Sequence, residues 1–384
     1  MEKNLYFVFS SVTFLQLYIP IVIKGNENGF SSIFIIRKNN KTYADPFCHN
    51  KLVQEFIEKY NIKLINSSDE FPIGIYFVVD GDIYGPPRED ILRQSLIYKI
   101  KNNSNNIIIN LNENMNFIDK YDIIQKNCDY CFFESNDLIK FWEKIDYNNY
   151  IKRNMLEFQG NKFTKIYDSS KNIYGINTKF DNIFNGDIHH KFNLPKMNSK
   201  YCLFLYPKLI SFTDSDILNI YSHLRNLGYK IIVKTRPKSA HLIKNKELKG
   251  DYYIESDIYP NETLMLLSIS ELCIFSSSSA QSECLYSSVP CLDLESEIRQ
   301  KWAGFEFLVD NKFYKQLKNN EWKGISYDTF KIIIDSLEYK HSEYINILRD
   351  NYFKIDDSKA SLFTNSLKVD SSNYIINFIK KLIE

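Results

Sequence analysis

No charge of either sign predominates in this chain: 48 Lys+Arg stand against 47 Asp+Glu, a formal net charge of +1 over 384 residues. A protein that holds DNA or RNA without regard to sequence needs a surplus of cations, so nucleic acid is excluded as the default partner. Cysteine is scarce. The seven present, an odd number, run from Cys48 to Cys291 without the dense spacing of a disulfide scaffold, which points to a cytoplasmic setting. The isolated C-x-x-C, Cys128 and Cys131, has no second Cys or His pair at zinc-finger spacing. Two buried thiols in a strand explain it better than metal or redox chemistry. The G-x-G-x-x-G and G-x-x-x-x-G-K-S/T fingerprints are missing, which argues against dehydrogenases and P-loop ATPases. Heptads, solenoid periods and low-complexity blocks are missing too. An excess of Asn, Ile and Lys reads as nucleotide bias.

Aromatics, by contrast, are abundant. With 28 Phe, 27 Tyr and a hydrophobic share of 44%, the chain can bury enough surface to offset its conformational entropy. Its length suits about two domains. One uncharged stretch, residues 5–23 (LYFVFSSVTFLQLYIPIVI), is as long as a membrane span. Ser10, Ser11, Thr13, Gln16 and Pro20 interrupt it, and no small-residue cleavage site follows. The reading carried forward is a buried strand over 5–9, a Ser-Ser turn, and an apolar helix to about Lys24. A strand over 32–36 after Gly29 would complete a βαβ unit.

Further apolar runs fall at 73–79, 107–111, 128–133 and 172–174, with helix-like stretches at 51–60, 88–100 and 136–144. The runs are nearly continuous rather than alternating with polar residues, as in a parallel sheet covered on both faces. A polar stretch, 181–199, contains Pro195, His189 and His190 and reads as a linker. A second series follows: strands at 201–206, 230–234, 252–254, 272–275 and 289–294, with helices at 214–228, 262–269 and from 280 onward. Gly228 suits a left-handed cap to the first of these helices. Helical patterns close the chain at 329–339, 342–353 and 373–383. The fold class is α/β, with two Rossmann-like domains over 1–188 and 201–350 and a linker at 189–200. A helical segment at 351–384 is expected to pack back on the first domain.

Two stretches carry chemistry. In 271–294 (ELCIFSSSSAQSECLYSSVPCLDL) a strand meets Ser276, Ser277, Ser278 and Ser279 where a helix begins. Hydroxyl and backbone N–H donors at a helix start make a phosphate cradle. Glu283, one turn on, is in reach of a ribose or sugar hydroxyl. A serine N-cap followed by a solvated glutamate accounts for the same letters. In 229–239 (YKIIVKTRPKS) a strand end delivers Lys234, Arg236 and Lys238 at alternate positions, with Pro237 fixing the turn. Cations at the carboxyl end of a parallel strand lie where open α/β sheets bind ligands. Arg suits bidentate phosphate contact and Lys a point charge. A solvated basic turn is the plainer alternative.

The second half resembles the donor domain of GT-B glycosyltransferases. There a strand ends in K-x-H-P or H-P, and about forty residues later a serine pair opens a helix with an acidic residue. The matching residues are Lys234-Thr235-Arg236-Pro237, Ser277-Ser278, Glu283 and Val289-Pro290. Residues 172–181 (NIYGINTKFD) resemble the G-N-P-x-x-D segment of capsule and teichoic-acid transferases and of nucleotide-sugar epimerases. The likeness covers roughly 128–294. It implies two domains facing a central cleft, a nucleotide-sugar donor of CMP, CDP or UDP type, and a glycan or lipid-linked glycan acceptor. No cofactor is implied beyond the nucleotide sugar, which is a substrate. Arg236 stands where the family has His. A cation on phosphate survives that change, whereas a titrating imidazole does not.

On the acceptor side, the strand over 73–79 ends in Asp80-Gly81-Asp82. Bacterial GT-B sialyltransferases show D/E-D/E-G, then H-P, then S-S. Val79-Asp80-Gly81, Arg236-Pro237 and Ser277-Ser278 keep that order and depart at two positions. Asp80 is the candidate base for the acceptor hydroxyl, although Asp-Gly is also an ordinary turn. Glu113 competes with it. Ser10 and Ser11 are candidate sugar donors on the acceptor side, or a helix cap. No metal is expected: the Lys/Arg cluster, Arg236 foremost, can stabilise a leaving diphosphate without one. His49, His189 and His190 have neither triad nor metal spacing. The implied activity is sugar transfer in capsule or lipopolysaccharide assembly. The alternatives are a sialyltransferase or CDP-polyol phosphotransferase, a nucleotide-sugar epimerase or hydrolase, and a non-catalytic binding module. A cytoplasmic enzyme is expected, and a partly amphipathic helix over 374–383 leaves peripheral attachment to the inner membrane face open.

Overall fold

The computed structural model describes residues 3–9, 14–36, 51–66, 71–79, 96–111, 127–133, 169–181, 186–195, 199–206, 213–235, 243–255, 262–275, 280–293 and 370–384. They belong to two compact units, one formed by Met1–Asp181 with Phe353–Glu384, the other by Asn182–Tyr352. The division falls within the polar stretch 181–199. A one-turn helix, Ile188–Lys191, lies in that stretch, capped by the Asp187 carboxylate.

Unit 1 holds a seven-stranded sheet. Its strands are β1 (Asn4–Phe9), β2 (Ser31–Ile36), β3 (Lys63–Asn66), β4 (Ile75–Val79), β5 (Ile107–Leu111), β6 (Tyr130–Phe133) and β7 (Asn172–Tyr174), in the order β3-β2-β1-β4-β5-β6-β7. Every pairing is parallel. Residues 5–23 are therefore not one membrane-spanning element. They divide between β1, buried between β2 and β4, and helix α1 (Leu15–Glu27). No helix among the described residues is long and apolar enough to cross a membrane. One strand, β3, is missing from the sequence pattern. It has only four residues at the sheet edge, and its central Leu64 is 42% exposed, so burial leaves little mark on its letters.

Aromatic ladders set the register between β1 and β4. Phe7 lies opposite Phe77 and stacks on it at 4.9 Å, and Tyr6 lies opposite Tyr76 and stacks at 4.7 Å. Such cross-strand pairs contribute beyond the area they bury. The ladder ends at Phe7 and Phe77. Just beyond, the Tyr18 hydroxyl of α1 donates to the Val8 carbonyl at 2.8 Å. A helix side chain thus satisfies backbone that the neighbouring strand no longer pairs.

Unit 2 holds β8 (Lys200–Leu205), β9 (Tyr229–Thr235), β10 (Tyr252–Glu255), β11 (Leu272–Phe275) and β12 (Cys291–Asp293), in the order β10-β9-β8-β11-β12. These strands are parallel too. The long helix Asp214–Asn226 starts with a capping box formed by Thr213 and Asp216 and ends before Gly228, whose φ is +86°. It packs Ile217, Ile220, Tyr221 and Leu224 with Ile231 and Val233 on one sheet face. Leu266, Leu267 and Cys284 join Ile232, Cys273 and Phe275 on the other. These come from two short helices, Glu262–Leu267 and Ala280–Tyr286.

Gly250 precedes β10 with φ +66°, and a Cβ there would lie 2.7 Å from Val233 Cγ2 and 2.9 Å from the Ile231 carbonyl oxygen. Gly250→Ala is expected to cost about 2–3 kcal/mol, from the left-handed backbone and the overlap together. A urea titration would show it as a lower midpoint with an unchanged slope.

The C-terminal helix, α8 below (Ser371–Ile383), returns to unit 1. Its Tyr374, Ile375, Ile376 and Ile379 are buried. Phe378 packs edge-on against Tyr130 and Phe132, at 4.8 and 5.6 Å. The apolar face that the sequence leaves open to a membrane is occupied by the protein's own core. The helices between α1 and α8 among the described residues are α2 (Lys51–Lys59), α3 (Leu96–Lys101), α4 (Ile188–Lys191), α5 (Asp214–Asn226), α6 (Glu262–Leu267) and α7 (Ala280–Tyr286).

Candidate functional site

In unit 2 the chain moves outward from β8 to β9 and β10 on one side, then returns to place β11 and β12 on the other. The switch in direction lies between β8 and β11, and open α/β sheets bind ligands outside the carboxyl ends of strands at such a point. Neighbouring strands are about 4.8 Å apart, so β9 and β11 end roughly 10 Å apart across β8.

Lys234 is the penultimate residue of β9, paired across to Leu205 of β8 and Ile254 of β10. It is only 7% exposed. Strand alternation puts it on the face of Ile232, the face covered by α6 and α7. Its carbonyl accepts from the Tyr206 N–H at 2.9 Å, which carries the β8–β9 ladder one residue past β8. The Tyr206 hydroxyl is pushed up by burial and, secondarily, by Asp214. On the opposite face, the hydroxyl of Thr235, the last residue of β9, lies 3.2 Å from that of Tyr253 in β10. Thr235 is 1% exposed. Thr235 is visible in the K-T-R-P segment, but its partner lies 18 residues on, and nothing local marks that pairing.

β11 ends at Phe275, one residue past the Ile274–Phe204 pair. α7 begins at Ala280, and Glu283 sits half-buried in its first turn. A negative charge there is favoured by the helix dipole. The next residue, Cys284, is fully buried among the apolar residues under the sheet. Ser276, Ser277, Ser278, Ser279, Arg236 and Lys238 lie outside the described residues. The strands before them do not: β9 and β11 end on the same side of one sheet, flanking β8.

Unit 1 repeats the plan. β1, β4 and β5 are neighbours, with Val79 opposite Leu111. Ser10 and Ser11 follow β1, Asp80 and Asp82 follow β4, and Glu113 follows β5; all five lie outside the described residues. The segment 172–181 is described. Its Gly175 has φ +78°, and the Thr178 hydroxyl donates to the Leu17 carbonyl of α1 at 2.6 Å. Its last residue, Asp181, accepts from the Ser371 and Ser372 N–H groups of α8 at 2.9 and 2.7 Å. The role of that aspartate is hidden in the sequence, because its partners lie 190 and 191 residues away. Cys128 and Cys131 are buried in the unit 1 core, and neither is in a disulfide.

Two parallel sheets with this strand order, each in its own unit, match a known architecture along the whole chain. The fold is GT-B. A UDP-GlcNAc 2-epimerase from Neisseria meningitidis bound to UDP-GlcNAc superposes with a TM-score of 0.54 at 13% identity, over 98% of this chain and 100% of that one. S. aureus MnaA in complex with UDP gives 0.53 at 12% identity, over 100% and 97%. A variant of the wall teichoic acid polymerase TagF soaked with CDPG gives 0.53 at 12% identity, over 100% and 90%. No family model and no curated protein matches the sequence. The GT-B likeness therefore stands on strand order and element sequence, with little identity of side chains.

Proposed function

We propose that this GT-B chain transfers a sugar from a nucleotide-activated donor to a carbohydrate acceptor in the assembly of a surface polysaccharide such as capsule or lipopolysaccharide. The observation that carries the proposal is that β9 and β11 end at one sheet edge, flanking β8. Cations after β9 and hydroxyls after β11 then reach a diphosphate from two sides. In this reading Lys234, Arg236 and Lys238 supply positive charge to the donor phosphates, and Ser276 to Ser279 supply hydroxyl and N–H donors. Glu283 takes the ribose or sugar. Preorganised cations stabilise the leaving diphosphate as charge develops on it, and no divalent ion is required. Asp80 accepts the acceptor hydroxyl's proton, with Asp82, Glu113, Ser10 and Ser11 around the acceptor. The work is done in the cytoplasm, on a free or lipid-linked glycan.

A second reading, epimerisation or hydrolysis of the nucleotide sugar, is favoured by the likeness to two structures named for UDP or UDP-GlcNAc. Incubation with UDP-, CDP- and CMP-sugars, with and without an oligosaccharide acceptor, separates the two. Transfer predicts release of nucleotide that depends on acceptor and persists in EDTA. Donor consumed equally without acceptor favours the second reading. Tight binding without any product would reduce the chain to a binding module.

A further inference from the structure

Asp181 is the last residue of unit 1 before the chain crosses into unit 2, and Asp370 caps α8 after the chain has returned. The two carboxyls meet at the same helix start. Asp181 takes the Ser371 and Ser372 N–H groups, at 2.9 and 2.7 Å. Asp370 takes the Ser372 and Asn373 N–H groups at 3.1 and 3.2 Å, the Ser372 hydroxyl at 2.6 Å and the Asn373 side-chain amide at 3.0 Å. The Ser372 N–H is shared by both. Asn177 completes the attachment, its N–H donating to the Ser371 hydroxyl at 3.2 Å.

Among the described residues, few cations face this pair. Lys24 of α1 acts on both carboxyls but is already ion-paired with Glu27 at 2.9 Å. Lys179, in the turn before Asp181, lies over the Phe180 ring at 4.7 Å. Lys380 is at the far end of α8, where it donates to the Asn28 side chain at 2.6 Å. Two desolvated carboxylates in contact, with so little compensation, cannot both stay ionised without cost. We propose that Asp181 and Asp370 form a proton-dependent clasp: one shared proton holds the first turn of α8 on unit 1, and its loss releases that turn. The end of the first stretch of unit 1 is tied to the start of α8 while the proton stays.

Burial, then the Asp370 charge and the hydrogen bond to Asp370, raise Asp181 from an ordinary 3.8 to about 8. Asp370 is held below its ordinary value: burial opposes this, but hydrogen bonds from Asp181, Ser372 and Asn373 and the Lys24 charge outweigh it. For Asp181 the stabilisation is fully present below its unfolded value and is lost as pH rises through about 8. For Asp370 it is present above the unfolded value and lost as pH falls through the lower folded one.

The test is hydrogen exchange of the α8 amides in the full-length chain between pH 6 and 9.5, corrected for the intrinsic exchange rate. The clasp predicts that protection of the first turn falls by about tenfold per pH unit from pH 6 up to about 8 and levels off above it, while the last turn is unaffected. Asp181→Asn, a neutral isostere that keeps one acceptor for the Ser371 and Ser372 N–H groups and a donor for Asp370, should abolish this pH dependence and retain part of the protection. Asp370→Asn removes the repelling charge and should move the break to lower pH. It also serves as the test should Asp181→Asn fail to fold. Wild-type protection that is flat across this range, or a break that neither substitution moves, overturns the proposal.

Discussion

Replacing Arg236 by alanine is expected to lower kcat/KM for a nucleotide sugar by about 100- to 1000-fold, the usual cost of deleting one preorganised donor from a site where charge develops. Arg236 comes two residues after the buried Lys234 in the chain, and β9, which Lys234 nearly ends, is the neighbour of β8 at the β8–β11 switch. Arg236→Lys keeps the charge but loses the planar bidentate fork, so an intermediate loss is expected. Arg236→His should bring a fall in activity above about pH 6.5 that the natural residue lacks, since only imidazole gives up its charge there. Steady-state kinetics on the three variants decide the matter. Turnover of Arg236→Ala equal to that of the parent would remove Arg236 from the donor site, and with it the electrostatic basis of the proposed transfer.

Ending the chain at residue 369 is expected to prevent unit 1 from folding. The truncation removes Tyr374, Ile375, Ile376 and Ile379, all at most 3% exposed. At about 1.5–3 kcal/mol for each buried side chain, the loss is about 6–12 kcal/mol, comparable to the whole stability of an ordinary domain. It also uncovers Phe132, which packs on Tyr374 and Phe378, and strips the half-buried Asp181 of two N–H partners. Insoluble expression, or a thermal melt without the cooperative unit 1 transition, is the expected outcome. A soluble truncated chain with an unchanged melt would mean that α8 adds little to unit 1. Ile376→Ala, a milder change, should cost about 2–5 kcal/mol by the same reckoning.

Much of the fold was legible because burial on both sides of a parallel sheet leaves a local trace. Ile107–Leu111, Asn172–Tyr174 and Leu272–Phe275 are strands over the same residues as their apolar runs. The first segment divided into β1 and α1, with Ser10 and Ser11 falling between them in the chain and Pro20 inside the helix. Gly228 stands just past the end of α5. β3 escaped because an edge strand is buried on too little of its surface to need a continuous apolar run.

The candidate site was half legible in the same way. Lys234 and the serine run could be placed at strand ends from the chain alone, since strand-to-loop transitions are local. That their two strands flank β8 rather than lie at opposite edges is a matter of hydrogen bonding between segments about forty residues apart.

By itself the sequence determined the α/β class, the position of most strands, the even balance of charge and the residue types that follow each strand in the chain. These follow from side-chain periodicity and composition, which act over a few residues. Only the tertiary structure decided the strand order, the return of α8 to the first unit, and the meeting of Asp181 with Asp370. Backbone pairing is chemically alike for every strand, so nothing in the letters of one segment names its neighbour. The choice is made by how the whole chain packs, and buried carboxyls acquire their properties only once that packing has brought them together.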